Sequence, residues 1–300
     1  MQDGYMVVED FFDGAAALRE AFEAHFRNPN THSQEHQIWN YWYVPESYTY
    51  LRTAPGKVVP EPLVARFVQR LNHWAMTTLG LGTRQNPWLS LYVDGCVQTI
   101  HNDALNGQMG YVYSITKWDE RNFLGGETLL FRPDRYWGTS RMRTSGAGRS
   151  FYELIPARFN QLLVFDDRII HGVSPVQGTM DPQQGRVVIH GHLRADTVAA
   201  TGPLTADRAM EALSPMRSQF QEMAQRVLDH VHGFMTVRLT ITADGRVSSI
   251  RPLCDRLLSL SAQNEALEQF KAGVLRILSE VRFPSFASVS ELTLPVLAGG

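Results

Sequence analysis

The chain has 300 residues, of which 44% are hydrophobic and 19% charged, and a formal net charge of −2. That length and apolar content suit one large domain or two smaller ones with a sizeable core, and the near-neutral charge gives no electrostatic reason to expect nucleic acid or an anionic membrane as partner. Two distant cysteines, Cys96 and Cys254, exclude a disulfide framework, and neither a run of about 18 apolar residues nor a basic segment leading into an apolar one occurs, so the expected compartment is the reducing cytoplasm.

A short strand is predicted over 6–12, with Val7 and Val8, followed by a helix over 15–26 for which Asp13 is the candidate cap. Residues 28–60 have no clear period and are rich in turn formers and aromatics, among them Trp39, Tyr41, Trp42, Tyr43, Tyr48 and Tyr50. Leu63, Phe67, Leu71, Trp74 and Ala75 recur at helical spacing, which predicts a helix over 61–79 with one buried face. Strands are predicted over 88–100, 108–116, 128–131, 160–165 and 185–193. The basic stretch 132–149 reads as a loop, either solvated or a lid whose Arg141 and Arg143 receive a substrate carboxylate.

Beyond Leu193 the character changes. Residues 195–203 read as a linker and 205–230 as a helix interrupted near Pro215. Val237, Leu239 and Ile241 then alternate with polar residues, and Ala243-Asp244-Gly245-Arg246 supplies hairpin-turn chemistry before a return strand over 247–250. An amphipathic helix over 263–281 and a strand over 292–297 complete this region. The expected division is a first domain over 1–195, a linker and helix over 196–232, and a small α+β domain over 233–300.

The chemistry concentrates in four residues. His101 and Asp103 end an apolar run, and residues two apart on a strand project from the same face and can reach one ion. Gln161-Leu-Leu-Val-Phe-Asp166 reads as a buried strand, from which Ile169 and Ile170 lead to His171. Two imidazoles and one carboxylate on one face of a metal leave the opposite positions open, the arrangement that non-haem Fe(II) oxygenases use. Arg186, near the start of Gly185-Arg-Val-Val-Ile-His-Gly-His192, can clamp a carboxylate through two parallel hydrogen bonds. Taken singly, a His-x-Asp pair is usually a solvated strand or turn, and Tyr92 and Tyr113 are ordinary core aromatics. His25, His32, His36, His73 and His192 read as surface or packing residues, while His190, at an even offset from Arg186, is placed to face the same interior.

Together these blocks resemble the Fe(II)/2-oxoglutarate-dependent oxygenases, in their prolyl-4-hydroxylase-like branch, over about residues 85–195. Tyr92, Gly95, His101 and Asp103 match one block and Gly125-Gly126-Glu127-Thr128 a second. His171, Gly172, Val173, Pro175, Val176, Gly178 and Arg186 match a third. The chain departs from the pattern at Leu91, where the family often has Arg, and at Asp94, where a small or neutral residue is common. The resemblance implies a mainly β fold with flanking helices, a double-stranded β-helix or jelly roll, beside the α+β C-terminal domain. It implies Fe(II) held by His101, Asp103 and His171 as the catalytic centre, and 2-oxoglutarate held by Arg186 with Tyr92, Tyr113 and Thr128. O2 would be the oxidant and ascorbate a stimulant.

Asp103 is the carboxylate that related halogenases replace, so the implied reaction is hydroxylation of an unactivated C–H of an amino acid, peptide or natural-product intermediate, with release of succinate and CO2. Desaturation or ring closure is the variant of that chemistry, another metal or oxidant in the same triad a third reading, and a catalytically silent jelly-roll scaffold the alternative. Residues 234–297, through Val-Arg-Leu-Thr-Ile-Thr-Ala-Asp-Gly-Arg-Val and Val-Arg-Phe-Pro, resemble the C-terminal domain of TonB-family proteins. Without the N-terminal membrane anchor of that family, this implies an accessory module that docks on the oxygenase, forms a homodimer or recognises a protein partner.

Overall fold

The structure is a computed structural model that describes residues 4–27, 38–83, 85–132, 151–195, 198–260 and 264–299. Arg141, Arg143, Arg149, His32 and His36 lie outside the described residues. The chain divides into two compact units, one made of the chain up to Leu71 with the stretch ending at Leu193, the other of Asn72–Thr83 with the chain from Arg194 onward.

The first unit runs β1 (Tyr5–Val8), α1 (Ala15–Arg27), β2 (Asn40–Val44), β3 (Tyr48–Thr53) and α2 (Glu61–Thr78), the last of which carries on into the second unit. It continues with β4 (Trp88–Tyr92), β5 (Val97–His101), β6 (Met109–Ser114), β7 (Thr128–Phe131), β8 (Tyr152–Ile155), β9 (Gln161–Asp166), β10 (His171–Val173) and β11 (Arg186–Leu193). Two four-stranded antiparallel runs form, β9-β6-β11-β4 and β5-β10-β7-β8. From β4 to β11 the chain changes run at every step except between β7 and β8, and that alternation is a double-stranded β-helix, the jelly roll. Strand β3 joins the runs, pairing Leu51, Arg52 and Thr53 with β4 and Tyr48 and Thr49 with β5. Inside, Leu130, Ile155, Leu163 and Phe165 form a buried cluster. Every residue of β9 is buried, which explains its unbroken apolar run.

Two expectations are corrected here. The single strand predicted over 88–100 is broken at Asp94-Gly95, where Gly95 takes φ +79° and the Cys96 N–H donates to the Val93 carbonyl at 2.9 Å. The chain thereby leaves one run for the other, and apolar content alone does not mark the break. The aperiodic aromatic segment contains a hairpin, β2 with β3, whose turn includes Glu46 at φ +61°. All five residues of β2 are exposed, so it has no buried face to impose alternation.

The second unit contains β12 (Ala199–Thr201), α3 (Ala206–Leu213), α4 (Arg217–Arg226), β13 (Val231–Ile241), β14 (Val247–Ser259), α5 (Glu265–Glu280) and β15 (Ser290–Ala298). Its antiparallel sheet has the order β12-β15-β13-β14. Val237, Leu239 and Ile241 of β13 share a core with Phe270, Val274 and Leu278 of α5, as their two periodicities predict. The stretch read as a linker supplies β12, which pairs with β15, and a 3-10 turn at Ser214–Met216 separates α3 from α4 where Pro215 removes a backbone donor. No helix among the described residues is long and apolar enough to cross a membrane.

Candidate metal centre and carboxylate pocket

Antiparallel pairing of β10 with β5 sets His171 directly opposite His101, with ring centroids 4.4 Å apart. The approach is close enough that a Cβ on Gly172 would meet the Gln98 carbonyl oxygen at 2.7 Å. Asp103 reaches the same point by a different route from the one its spacing suggests. Strand β5 ends at His101, and the Asp103 N–H donates to the Asp167 carbonyl at 2.9 Å, so a backbone tie rather than strand alternation brings the carboxylate back. Its Oδ2 lies 3.4 Å from His171 Nε2 and 3.7 Å from His101 Nε2, and the three candidate ligand atoms all lie within 4.8 Å of one another.

The tautomers follow from the partners of the other ring nitrogens. The His101 Nδ1–H donates to the Thr99 carbonyl at 2.7 Å and the His171 Nδ1–H to the Ile169 carbonyl at 2.8 Å. A carbonyl can only accept, so each neutral ring carries its proton on Nδ1 and turns the Nε2 lone pair toward Asp103. Asn106 Nδ2 donates to Asp103 Oδ1 at 2.9 Å, which leaves Oδ2 for the imidazoles. Burial pushes the Asp103 pKa up, but the two imidazoles outweigh it and hold the carboxyl well below the usual carboxylate range. Burial pulls the His101 pKa down, and its bonds to Asp103 and Thr99 reverse that into a net rise. The raised His101 pKa reflects a proton on Nε2 shared with Asp103; with that proton removed, two lone pairs and an anionic oxygen face one another, an arrangement that a cation between them completes.

Arg186 opens β11, paired with Tyr92 of β4, and is 1% exposed. Its Nη2 donates to Thr128 Oγ1 at 3.2 Å, and its guanidinium carbon lies 4.7 Å from the centre of the Tyr92 ring. Nε and Nη1 are buried with no hydrogen-bond acceptor among the described residues. Burial lowers the Arg186 pKa, yet a guanidinium starts so high that it stays charged. A sealed cation with unsatisfied donors is expensive unless an anion completes it. The triad and Arg186 line one cavity of about 310 Å³.

Of the residues predicted for the co-substrate, Arg186, Thr128 and Tyr92 line this cavity, the Tyr92 hydroxyl donating to Gln98 Oε1 at 3.3 Å. Tyr113 is not brought there. Its hydroxyl donates to Asn160 Oδ1 at 2.9 Å and its ring packs 4.7 Å from that of Phe67 on α2. Strand β6 reaches the cavity at Gly110, Tyr111 and Val112, while Tyr113 packs against α2 and is not part of the lining. His190 does line it, 2.7 Å from Ser90 Oγ, and burial, with the nearby His192, Arg186 and Arg52, pushes its pKa down to about 3, so the ring is neutral.

A second trio, Asp103, Asp167 and His192, also brings its ligand atoms within 4.8 Å. Asp167 is fully buried and accepts from His192 Nδ1 at 3.0 Å, a contact that steadies the segment holding Asp103. Gly110 makes room for it, since a Cβ there would meet Asp167 Oδ1 at 2.8 Å. Sequence reading left His192 as a packing residue, and its even offset from His190 and Arg186 was the available signal.

No protein-family model and no curated protein sequence matches the chain. Among solved structures, it is similar to a prolyl hydroxylase from Trichoplax adhaerens, in complex with a hypoxia inducible factor oxygen degradation domain peptide fragment. That match has 11% identity and a TM-score of 0.44, covering 63% of this chain and 82% of that one. A Pseudomonas putida prolyl-4-hydroxylase is similar at 14% identity and a TM-score of 0.42, covering 64% of this chain and 92% of that one. The non-heme alpha ketoglutarate dependent epimerase SnoN from nogalamycin biosynthesis is similar at 14% identity and a TM-score of 0.41, with 63% and 76% covered.

Proposed function

We propose that the first unit is an Fe(II)- and 2-oxoglutarate-dependent dioxygenase that hydroxylates an unactivated C–H of an amino acid, peptide or natural-product intermediate. The observation that carries this reading is the convergence, in one cavity, of a two-imidazole, one-carboxylate donor set with a buried guanidinium that lacks acceptors at Nε and Nη1. The donor set fits a divalent ion with open positions, and the guanidinium fits the far carboxylate of a dicarboxylic co-substrate. His101, Asp103 and His171 would hold Fe(II), and Arg186 would hold 2-oxoglutarate. When bound, the ion supplies the oxidative step, in which 2-oxoglutarate and O2 yield succinate, CO2 and a hydroxylated substrate.

The chain's own contribution is orientation and charge. The Thr99 and Ile169 carbonyls fix the two imidazole planes, and Asn106 fixes the carboxylate. Thr128 and the face of Tyr92 fix the plane of the Arg186 guanidinium. The rings of Phe165, 4.6 Å from His171, and Tyr48, 5.2 Å from His101, shield the centre from water. For the second unit the reading is an accessory module, supported by its separate core and by the position of β14 at one end of the described sheet, where another strand can pair.

Anaerobic addition of Fe(II) and then 2-oxoglutarate is expected to give a weak visible charge-transfer band that His171→Ala abolishes. Arg186→Gln is expected to weaken 2-oxoglutarate binding roughly 10- to 100-fold, the worth of a lost charged hydrogen-bond pair. A band that persists in His171→Ala, or succinate release that proceeds without the triad, refutes the assignment.

A further inference from the structure

A second arginine of the same cavity, Arg52, is held in a way that prepares it for an anion. Its guanidinium carbon lies 3.5 Å from the centre of the Trp42 ring and 4.4 Å from that of Trp88. The strand register explains the sandwich. In the two pairings of β3, Arg52 stands opposite Asn40 of β2 and Ser90 of β4, so Trp42 and Trp88 are its diagonal neighbours on either side. Both indoles remain more than a third exposed, and with Arg52 they line the cavity that holds the triad and Arg186.

Stacking on both faces restricts how a ligand can approach. A guanidinium covered above and below by aromatic rings can be met only in its own plane, where its N–H edge forms a fork. The partner that matches a fork in geometry and sign is a carboxylate. Among the described residues Arg52 has no ion-pair partner within 4.0 Å. The other polar groups near this part of the lining are uncharged: Gln85, Asn86, the Tyr50 hydroxyl, which interacts with Arg52 while burial raises its pKa, and His190, neutral because of its depressed pKa. Among the described residues no lysine lines the cavity, so Arg52 offers this ligand one fork, enough for a monoanion and too little for a phosphate dianion. Arg186 cannot serve this ligand, since the co-substrate takes it.

We propose that Arg52 receives a carboxylate of the primary substrate, which is therefore a small organic acid with an apolar or aromatic body lying against Trp42 and Trp88. The proposal rests on reading the triad and Arg186 as an oxygenase centre, and its test separates the two. The full chain, loaded anaerobically with Fe(II) and saturating 2-oxoglutarate to fill Arg186, is offered a mixture of small carboxylic acids, each paired with its own primary amide. Retained compounds are identified by mass spectrometry and their dissociation constants measured.

Acids are expected to bind at least about tenfold more tightly than their amides. The preference is expected to vanish in Arg52→Gln and to survive in reduced form in Arg52→Lys. Equal retention of acids and amides by the wild-type protein overturns the proposal, as does retention of no acid at all. A preference that survives Arg52→Gln but disappears in Arg186→Gln also overturns it. The wild-type comparison stands whether or not a variant folds. Succinate release from the loaded wild-type protein is scored separately: an Arg52-dependent preference without release retires the oxygenase reading alone, and release without a preference retires the carboxylate site alone.

Discussion

Arg186 carries opposite consequences for stability and for binding. With two nitrogens buried and lacking acceptors, it burdens the ligand-free protein. Replacing it with methionine, of similar length, is expected to stabilise the ligand-free protein by on the order of 1 kcal/mol, read as a higher melting temperature. The same replacement should erase the further rise that metal and 2-oxoglutarate together give the wild-type protein; thermal scans with and without both compounds check the two effects. At Glu23 the electrostatics are structural. Burial raises its pKa, but ion pairs to Lys117 at 2.6 Å and Arg19 at 2.8 Å bring it down to about 2 from an ordinary 4.5. A depressed carboxylate pKa stabilises the fold fully above about pH 4.5, and that contribution fades as pH falls toward 2. Glu23→Gln should therefore be less stable than wild type at neutral pH by ~1 kcal/mol and melt lower, with the gap closing between pH 4.5 and 2. The triad, Arg186, Tyr92 and Thr128 were nameable from short motifs, because each motif is local in the chain. Arg52 was not, since its meaning comes from Trp42 and Trp88 on two different strands.

Strands β5 and β10 owe their approach to Gly172. A Cβ there would sit 2.7 Å from the Gln98 carbonyl oxygen, so Gly172→Ala must push the two strands apart at the point where His101 and His171 face each other. The expected outcome is a loss of metal affinity of tenfold or more, in keeping with about 1.4 kcal/mol of misplacement, measured by anaerobic Fe(II) titration of folded protein. Gly125→Ala should act on the whole unit instead. It adds a positive φ of +77° to a clash with the Pro175 carbonyl oxygen, and a loss of more than about 2 kcal/mol in denaturant unfolding is expected. At this scale the sequence was partly readable. Strands with one or two buried faces, such as β9 and β13, showed themselves through period or unbroken apolar character. The β2–β3 hairpin, exposed along β2, offered no period, and the break between β4 and β5 depended on the single φ of Gly95.

Across the whole chain, each unit closes its own core, and every proposed ligand contact lies in the first. Hydrogen exchange with and without Fe(II) and 2-oxoglutarate should show slowing at β5, β10 and β11 and no change in β13, β14 and β15. Slowing confined to the second unit would contradict the placement of the site. The switch from jelly roll to α+β unit was visible as a change of pattern after Leu193. The assignment of Asn72–Thr83 to the second unit was not, because helical periodicity reveals that a face of α2 is buried but not in which core.

The two imidazoles are tethered by backbone carbonyls, and the proposed donor set contains no thiolate or other group that favours iron over its neighbours in the periodic table. In the Irving–Williams order, nickel, copper and zinc bind such nitrogen and oxygen donors more tightly than ferrous iron. Protein purified in air is therefore expected to carry whichever ion its growth medium supplied in excess. An inert preparation then reports trace-metal supply until the ion has been stripped and replaced.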